Sequence, residues 1–271
     1  MSVHAAKLLL VGCGKMGGAL LERTAGKSFI SAIEVIDPAP AAPRLKAIPG
    51  VTWSTSFRDT SSGGEPDLIV LAVKPQQMAE TLPAYSRFRK SVYLSIAAGL
   101  TVSRLQTLLG DTGHAVVRSM PNLPASIGQG LTAATANGQV TREQRDLCDL
   151  FLRSVGDVIW LEDESLMDII TAVSANGPAY VFALCEAMTE AGETLGLPKD
   201  MAAHLARKTI IGSGALLAQS DDAAAELRRA VTSPGGTTEA ALKHLLGTKG
   251  LQDLMLKTIE AGAARARELA K

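Results

Sequence analysis

The residues best suited to chemistry lie in one short stretch in the second half of the chain, Thr232-Ser233-Pro234-Gly235-Gly236-Thr237-Thr238. Its hydroxyl groups can donate hydrogen bonds, and its two glycines allow the backbone to approach a ligand closely. A helical pattern begins at about Thr237, and the first N–H groups of a helix have no acceptor within it. We therefore expect an anion to bind here. The alternative is an ordinary turn between two helices with a threonine cap.

A second candidate site follows the apolar run from Lys7 to Val11 and reads Gly12-Cys13-Gly14-Lys15-Met16-Gly17. Helical spacing comes next, and then a second strand-like run from Ala32 to Ile36. This context favours a dinucleotide-binding turn, in which Gly12 makes the tight turn, Gly14 admits the pyrophosphate and Gly17 lets the helix lie close to the strand. Lys15 and Met16 begin the helix whose N-terminus faces the phosphates. The alternative is a strand-to-helix turn without a ligand.

Asp37 follows the second strand, where an acidic side chain typically binds the ribose hydroxyls of NAD. A 2′-phosphate about 5 Å away would be repelled by roughly 3 kcal/mol per unit charge at an effective dielectric near 20, which favours NADH. Arg44 could offset this repulsion, and Pro38 could turn Asp37 elsewhere, so NADPH also stays open.

The ends of three further strand-like runs supply the remaining coenzyme candidates. Ligands of doubly wound sheets bind beyond the carboxyl ends of the strands. The runs Asp67 to Val73, Val92 to Ile96 and His114 to Arg118 therefore point to the residues that follow or end them: Ala72, Lys74, Pro75, Ala97, Ala98 and Asn122. Lys74 could instead be a solvated lysine, and Asn122 a plain turn former between two prolines.

Composition limits the partners and the compartment. The 271 residues carry 27 basic and 27 acidic side chains, which gives no reason to expect nucleic acid. Three scattered cysteines fit a reducing compartment, and we expect no apolar run of bilayer length and no signal segment; the predicted localisation is cytoplasmic. Four scattered histidines show no metal-binding spacing, so no metal is predicted.

The chain divides into two predicted domains. Strand-like runs stop after about Glu162, which suggests a dinucleotide-binding domain over residues 1–162 and a helical domain over 163–271. Residues 39–49 and 55–64 are predicted surface connections. The segment Thr209 to Ala218 is apolar nearly all round and rich in small residues. A helical domain of this size can hardly cover it alone, which predicts a homo-oligomer formed through the helical half.

Taken together, these motifs resemble those of pyrroline-5-carboxylate reductases over essentially the whole chain. The motifs that carry the resemblance are the glycine turn at 12–17, Ala72-Val73-Lys74-Pro75, Ala97-Ala98-Gly99, Met120-Pro121-Asn122, Asn176-Gly177-Pro178-Ala179-Tyr180 and Val231-Thr232-Ser233-Pro234-Gly235-Gly236-Thr237-Thr238. The last one is the most specific to the family.

The resemblance implies an α/β fold, with an N-terminal Rossmann-type doubly wound sheet followed by an all-helical dimerisation domain. It also implies reduction of 1-pyrroline-5-carboxylate to L-proline with NADPH or NADH, and assembly of dimers into larger oligomers, a decamer among the candidates. The substrate would bind Ser233, Gly235, Gly236, Thr237, Thr238 and Asn176, with Thr238 next to the ring nitrogen.

Three positions depart from the family pattern. Asn176 replaces a serine hydroxyl by an amide, Leu123 stands where threonine is frequent, and Asp37 stands where NADPH-preferring members often have Ser, Asn or Arg. Two other functions remain as alternatives. One is a reductase of another cyclic imine or of a 3-hydroxy acid, although residues 174–195 lack the lysine that the latter would need. The other is a nicotinamide-binding regulatory protein without catalysis.

Overall fold

The computed structural model describes residues 5–56 and 64–269, and it divides into two compact units. One unit comprises the chain up to Ala175 together with the segment from Gly262 onward, and the other comprises Asn176–Ala261. The predicted boundary after Glu162 stays a prediction, since the contacts group the chain differently at both ends of the helical half. Most of the predicted connection at 55–64 lies outside the described residues.

The first unit is built on an eight-stranded sheet in the order β3-β2-β1-β4-β5-β6-β7-β8. All neighbours are parallel except β6 and β7, which are antiparallel. The chain runs from β1 outward to β3 and then returns to β4 on the other side of β1, which creates the switch point of a doubly wound sheet. The strands are β1 Ala6–Val11, β2 Ile30–Ile36, β3 Val51–Ser54, β4 Leu68–Leu71, β5 Val92–Ser95, β6 Ala115–Met120, β7 Gly130–Ala136 and β8 Gly156–Trp160.

Both faces of the sheet are buried, which explains why its strands are continuous apolar runs. Along β1, Leu8 and Leu10 belong to one core cluster, while Leu9 and Val11 belong to the other. The same alternation holds in β4, β5 and β6. The sequence prediction of a doubly wound sheet is confirmed.

Helices cover both faces of this sheet and connect its strands. They are α1 Lys15–Thr24, α2 Pro43–Lys46, α3 Met78–Thr81, α4 Val102–Leu108, α5 Arg142–Arg153 and α6 Met167–Ile170. The predicted surface connection at 39–49 is mostly exposed, and it contains the short helix α2, which the sequence analysis did not predict. Pro43 occupies its first turn, where a missing N–H costs nothing, and Leu45 is buried against Gly18 of α1.

The second unit is helical, as predicted. Its elements are α7 Gly177–Thr194, α8 Lys199–Gln219, α9 Ala224–Ala230, α10 Thr237–Leu245 and α11 Leu251–Leu269, the end of which belongs to the sheet unit. A five-residue π-helical segment, Thr171–Ala175, precedes α7.

One helical stretch is longer and more apolar than the sequence analysis expected. Residues 164–194 form a run whose mean hydropathy of 1.2 over 18 residues would suffice, by length and composition alone, to cross a membrane. The expectation that no apolar run reaches bilayer length is therefore wrong for this stretch. The signal is weak, since core helices of soluble proteins share it, but only 11% of that window is buried in the single chain.

Candidate active site

The glycine turn after β1 has the backbone geometry that its sequence predicts. Gly12 adopts a φ of +87°, a conformation that side chains rarely tolerate, and a Cβ there would lie 2.9 Å from the carbonyl carbon of Ala72. A Cβ on Gly17 would lie 2.6 Å from the carbonyl oxygen of Gly12. The first turn of α1 can therefore approach β1 closely only because both residues are glycines.

The opposite side of this turn is open. A Cβ on Gly14 would meet no atom within 4 Å, and Gly14 is the N-cap of α1 without a side-chain cap. The first N–H donor that finds an acceptor within α1 is that of Gly18, which bonds the Gly14 carbonyl at 2.8 Å. The N–H groups of Lys15, Met16 and Gly17 therefore have no acceptor in the helix. This geometry fits a pyrophosphate, which needs close backbone approach and several amide donors.

Asp37 is fixed beside the same turn. One carboxylate oxygen accepts a hydrogen bond from the Cys13 N–H at 2.5 Å, and the other accepts one from the Ala39 N–H at 2.8 Å. The Cys13 thiol lies near this carboxylate. Burial raises the pKa of the thiol most, followed by the negative charges of Asp37 and Glu22, and the pKa reaches about 11. The thiol is thus kept protonated near neutral pH in a region of negative potential.

The other coenzyme candidates lie at the carboxyl ends of the parallel strands. Ala72 follows β4 and donates its N–H to the Val11 carbonyl at 2.7 Å. Lys74 is exposed just before a 3-10 turn at Pro75–Gln77. Ala97 is buried and Ala98 is half-buried, in the connection between β5 and α4. Since β1, β4 and β5 run in the same direction, all these residues share one edge of the sheet.

Asn122 has a structural partner that the sequence did not reveal. Its Oδ1 accepts a hydrogen bond from the Leu131 N–H at 2.9 Å, and its Nδ2 lies 3.4 Å from both the carbonyl and the hydroxyl oxygen of Ser174. The amide therefore joins the end of β6 to the start of β7 and to the π-helical segment.

The loop at 231–238 leads into α10 without a threonine cap. The N-cap is Gly236, with no side-chain cap, so the threonine cap of the alternative interpretation is wrong, while the choice between an ordinary turn and an anion site stays a prediction. Gly235 has a φ of +72°, and a Cβ on Gly236 would lie 2.5 Å from the Ser233 Oγ, so the two glycines are needed for different reasons. The N–H groups of Thr237 and Thr238 open the helix and have no acceptor within it.

Two backbone N–H groups in the predicted substrate loop already donate hydrogen bonds within the protein. The Gly235 N–H donates to a carboxylate oxygen of Glu239 at 2.9 Å, and the Gly236 N–H donates to the Ser233 carbonyl at 3.1 Å. Glu239 was missed by the sequence analysis, although an acidic residue in the first turn of a helix is a common partner for preceding N–H groups. The Thr232 hydroxyl is also engaged, since it donates to the Arg228 carbonyl at 2.6 Å. The donors that remain for an anion are the first N–H groups of α10 and the hydroxyl groups of Ser233, Thr237 and Thr238.

An ion pair between a buried arginine and a partly exposed glutamate was also missed. Arg118 on β6 has a side chain 5% exposed, and it donates to a carboxylate oxygen of Glu164 at 2.9 Å. The same oxygen accepts the N–H of Val102, the first residue of α4. A lone arginine inside a strand-like run gave no sequence signal for a partner 46 residues away. This pair fixes the connection that carries Ala97 and Ala98.

The candidate residues thus form two groups. Gly12, Asp37, Ala72, Ala97 and their neighbours belong to the sheet unit, while Asn176 and residues 233–238 belong to the helical unit. Asn176 precedes α7 without capping it through its side chain.

Comparison with known proteins identifies the protein family in which these two groups of residues occur. Residues 164–269 match the family described as pyrroline-5-carboxylate reductase dimerisation, and residues 7–99 match the family described as NADP oxidoreductase, coenzyme F420-dependent. A pyrroline-5-carboxylate reductase of Pseudomonas aeruginosa is 37% identical over 268 residues, which cover 98% of this chain and 97% of that protein. The chain belongs to the pyrroline-5-carboxylate reductase family.

Solved structures of the family agree with this assignment. The pyrroline-5-carboxylate reductase of Coxiella burnetii superposes with a TM-score of 0.89 at 33% identity, covering 99% of this chain and 100% of that one. The Plasmodium falciparum pyrroline carboxylate reductase, solved with NADP bound, gives a TM-score of 0.83 at 26% identity, covering 98% of both chains. The resemblance inferred from the sequence is confirmed at the level of family and fold.

Proposed function

We propose that this protein reduces 1-pyrroline-5-carboxylate to L-proline with a reduced nicotinamide dinucleotide, the last step of proline biosynthesis. The observation that carries the proposal is the loop at 231–238, whose glycines and open helix N-terminus suit a small carboxylate, in a chain of this family. The glycine turn at 12–17 supplies the second requirement, a place for the dinucleotide.

The sheet unit would hold the coenzyme through backbone and small side chains. The N–H groups of Lys15, Met16 and Gly17 would bind the pyrophosphate, and Asp37 the adenine ribose. The nicotinamide end would lie along the other strand ends, near Ala72, Lys74, Pro75, Ala97, Ala98 and Asn122. When bound, the coenzyme supplies the hydride that reduces C5 of the imine.

The helical unit would hold and polarise the substrate. The N–H groups of Thr237 and Thr238 and the hydroxyl of Ser233 would bind the carboxylate, with Gly235 and Gly236 shaping the loop and Asn176 nearby. Thr238 would donate a hydrogen bond to the ring nitrogen of the neutral imine, which makes C5 more electrophilic, or accept one from the N–H of the protonated imine. Because a threonine hydroxyl is a poor acid, solvent or an already protonated substrate would supply the proton. Holding the two reactants together could lower the barrier by about 7–11 kcal/mol.

Two subunits would complete each site. Apolar side chains on α7 and α8 are strongly exposed in the single chain, among them Phe182 at 55%, Ile211 at 57% and Leu216 at 54%. Such surfaces in a soluble protein call for a cover, and a second copy through the helical unit provides one. The active site would then lie between the coenzyme of one subunit and the helices of its partner. Larger assemblies, including a decamer, would add further contacts between dimers. Gel filtration should show no monomer at micromolar concentration.

A second copy packed on α7 would also cover apolar side chains of the run at 164–194, so that this run needs no membrane. A cytoplasmic location fits a small-molecule reductase of this kind. The 27 basic and 27 acidic side chains balance each other, which gives no reason to propose a nucleic-acid partner.

A direct assay tests the proposed function against its alternatives. The purified protein should oxidise NADH or NADPH, followed by absorbance, only after 1-pyrroline-5-carboxylate is added. A reductase of a different cyclic imine would prefer that compound, and a 3-hydroxy acid dehydrogenase would reduce NAD when given its substrate. A regulatory protein would bind the dinucleotide and leave it unchanged. Any of these three results would contradict the proposal.

A further inference from the structure

Asp37 lies where the chain leaves β2, and its carboxylate is oriented by backbone on both sides. The bonds to the Cys13 N–H and the Ala39 N–H use one acceptor position on each oxygen. A carboxylate has about four acceptor positions in all, so about two remain available. Asp37 is half-buried, which leaves one side of the group accessible. Two adjacent hydroxyl groups of a ribose are the donors that such a pair of acceptors accommodates.

Arg44, a cation that could reverse this preference, is already paired. The guanidinium Nε of Arg44, in α2, lies 3.2 Å from a carboxylate oxygen of Glu22 in α1. The pair is exposed, so it could be broken at little cost. Releasing Arg44 would, however, leave Glu22 as a second uncompensated carboxylate. After burial, the negative charges of Asp37 and Glu22 both raise the pKa of the Cys13 thiol, so neither carboxylate favours a further negative charge at this turn.

A 2′-phosphate bound beside Asp37 would therefore be repelled by this carboxylate, while the charge of Arg44 is already shared with Glu22. The phosphate carries close to two negative charges near neutral pH, so its repulsion by Asp37 exceeds that of a neutral hydroxyl by a wide margin. It also offers no hydroxyl for the free acceptors of Asp37, which would stay desolvated without a donor. Both effects act in the same direction.

We infer that Asp37 makes this protein select NADH over NADPH. The inference rests on the proposed function, since it concerns the coenzyme of that same reaction. It sets this chain apart from members of the family that use NADP, such as the Plasmodium falciparum protein solved with that molecule.

Binding measurements test the inference without relying on catalysis. Dissociation constants of NADH and NADPH, measured by isothermal titration calorimetry on the full chain, should differ by about tenfold to a hundredfold in favour of NADH. The fragments 5′-AMP and 2′,5′-ADP should show the same order, because the difference arises at the ribose. Wild-type protein that binds NADPH as tightly as NADH, or more tightly, overturns the inference and leaves the proposed reduction standing.

Variants assign the preference to the side chain. Asp37→Ser should bring the two dissociation constants within about threefold, and Asp37→Asn, which keeps the shape, should do the same if the charge is decisive. Arg44→Ala should change the NADPH constant by less than about threefold. Asp146→Asn is the matched control, since this exposed carboxylate lies on α5, whose start contacts Lys90 at the amino end of β5.

The outcomes separate the two claims. If Asp37→Ser folds, as shown by an unchanged circular dichroism spectrum, and still prefers NADH tenfold, the assignment to Asp37 is wrong. If the wild-type protein binds neither dinucleotide, the proposed function fails and the inference falls with it.

Discussion

The carboxylate of Glu239, in the first turn of α10, accepts a hydrogen bond from the Gly235 N–H at 2.9 Å and so closes the loop that we assign to the substrate. Gly235 has a φ of +72°, a conformation that glycine adopts without strain, and because glycine is flexible, the bond to Glu239 restricts the loop to one conformation. We therefore expect Glu239 to act as a positioning residue, which holds the loop before Thr237 and Thr238 rather than contacting the substrate.

Removing this support should weaken substrate binding. Glu239→Ala should raise KM for pyrroline-5-carboxylate by about 2- to 10-fold with a smaller change in kcat, the size expected for one hydrogen bond. Glu239→Gln keeps an acceptor and should stay near the wild-type value. Steady-state kinetics measures both, with Asp253→Asn on α11 as a control. If both variants lower KM, the carboxylate only repels the substrate.

Thr238 is expected to contribute directly to the transition state. Thr238→Ala should lower kcat/KM by about 10- to 1000-fold, because one oriented donor to the developing charge is lost. Thr194→Ala is a matched control, as that exposed hydroxyl only bonds the Glu190 carbonyl one turn back in α7. An unchanged kcat/KM for Thr238→Ala would remove this residue from the site.

Close contact between α1 and β1 should make Gly17 intolerant of any side chain. In Gly17→Ala the new methyl group would lie 2.6 Å from the Gly12 carbonyl oxygen, so the helix must move away from the coenzyme turn. We expect a loss of about 1–3 kcal/mol in the free energy of unfolding and weaker NADH binding. Gly138→Ala, where nothing lies within 4 Å, should leave both nearly unchanged. Denaturant unfolding and calorimetry measure the pair, and equal effects of the two substitutions would contradict the packing argument.

His114 should make the stability of the sheet unit depend on pH. Its ring is fully buried against the edge of Tyr93, and burial, followed by the charge of Arg89, lowers its pKa below the usual 6.5. The unfolded chain therefore binds this proton first, so the stabilisation is complete above about pH 6.5 and is lost as the pH falls toward the folded-state pKa. The slope from one such group cannot exceed about 1.4 kcal/mol per pH unit.

Denaturant unfolding at pH 7.5 and pH 5.5 measures this effect. The free energy of unfolding should fall more between these values in the wild-type protein than in His114→Phe, which keeps an aromatic ring next to Tyr93. An equal fall in both proteins would show that other groups cause it.

Sequence reasoning succeeded where local chemistry decides the structure. An apolar strand followed by glycines and a helical pattern leaves few alternatives, and Gly12 and Gly17 have the conformations and contacts that the pattern requires. The loop at 231–238 was located because Pro and Gly are both unfavourable inside a helix and so interrupt the helical pattern, and α10 begins at Thr237 as predicted.

Features that depend on distant partners were not predictable. The Arg118–Glu164 pair and the Asn122–Ser174 contact join residues 46 and 52 positions apart, and no local pattern encodes such pairs. The short helix α2 was missed because its Ala- and Pro-rich surroundings suggest a loop, whereas burial of Leu45 on α1 stabilises it. The antiparallel direction of β7 depends on the turn after Asn122, which the apolar pattern of the strand does not reveal.

Transfer of an isotope tests the central claim most directly. NADH carrying deuterium at the transferable C4 position should be incubated with the protein and pyrroline-5-carboxylate, and the product analysed by mass spectrometry. The account predicts L-proline with one deuterium at C5, formed in step with NADH consumption and strongly reduced in Thr238→Ala. Absence of proline, or proline without deuterium, would contradict it.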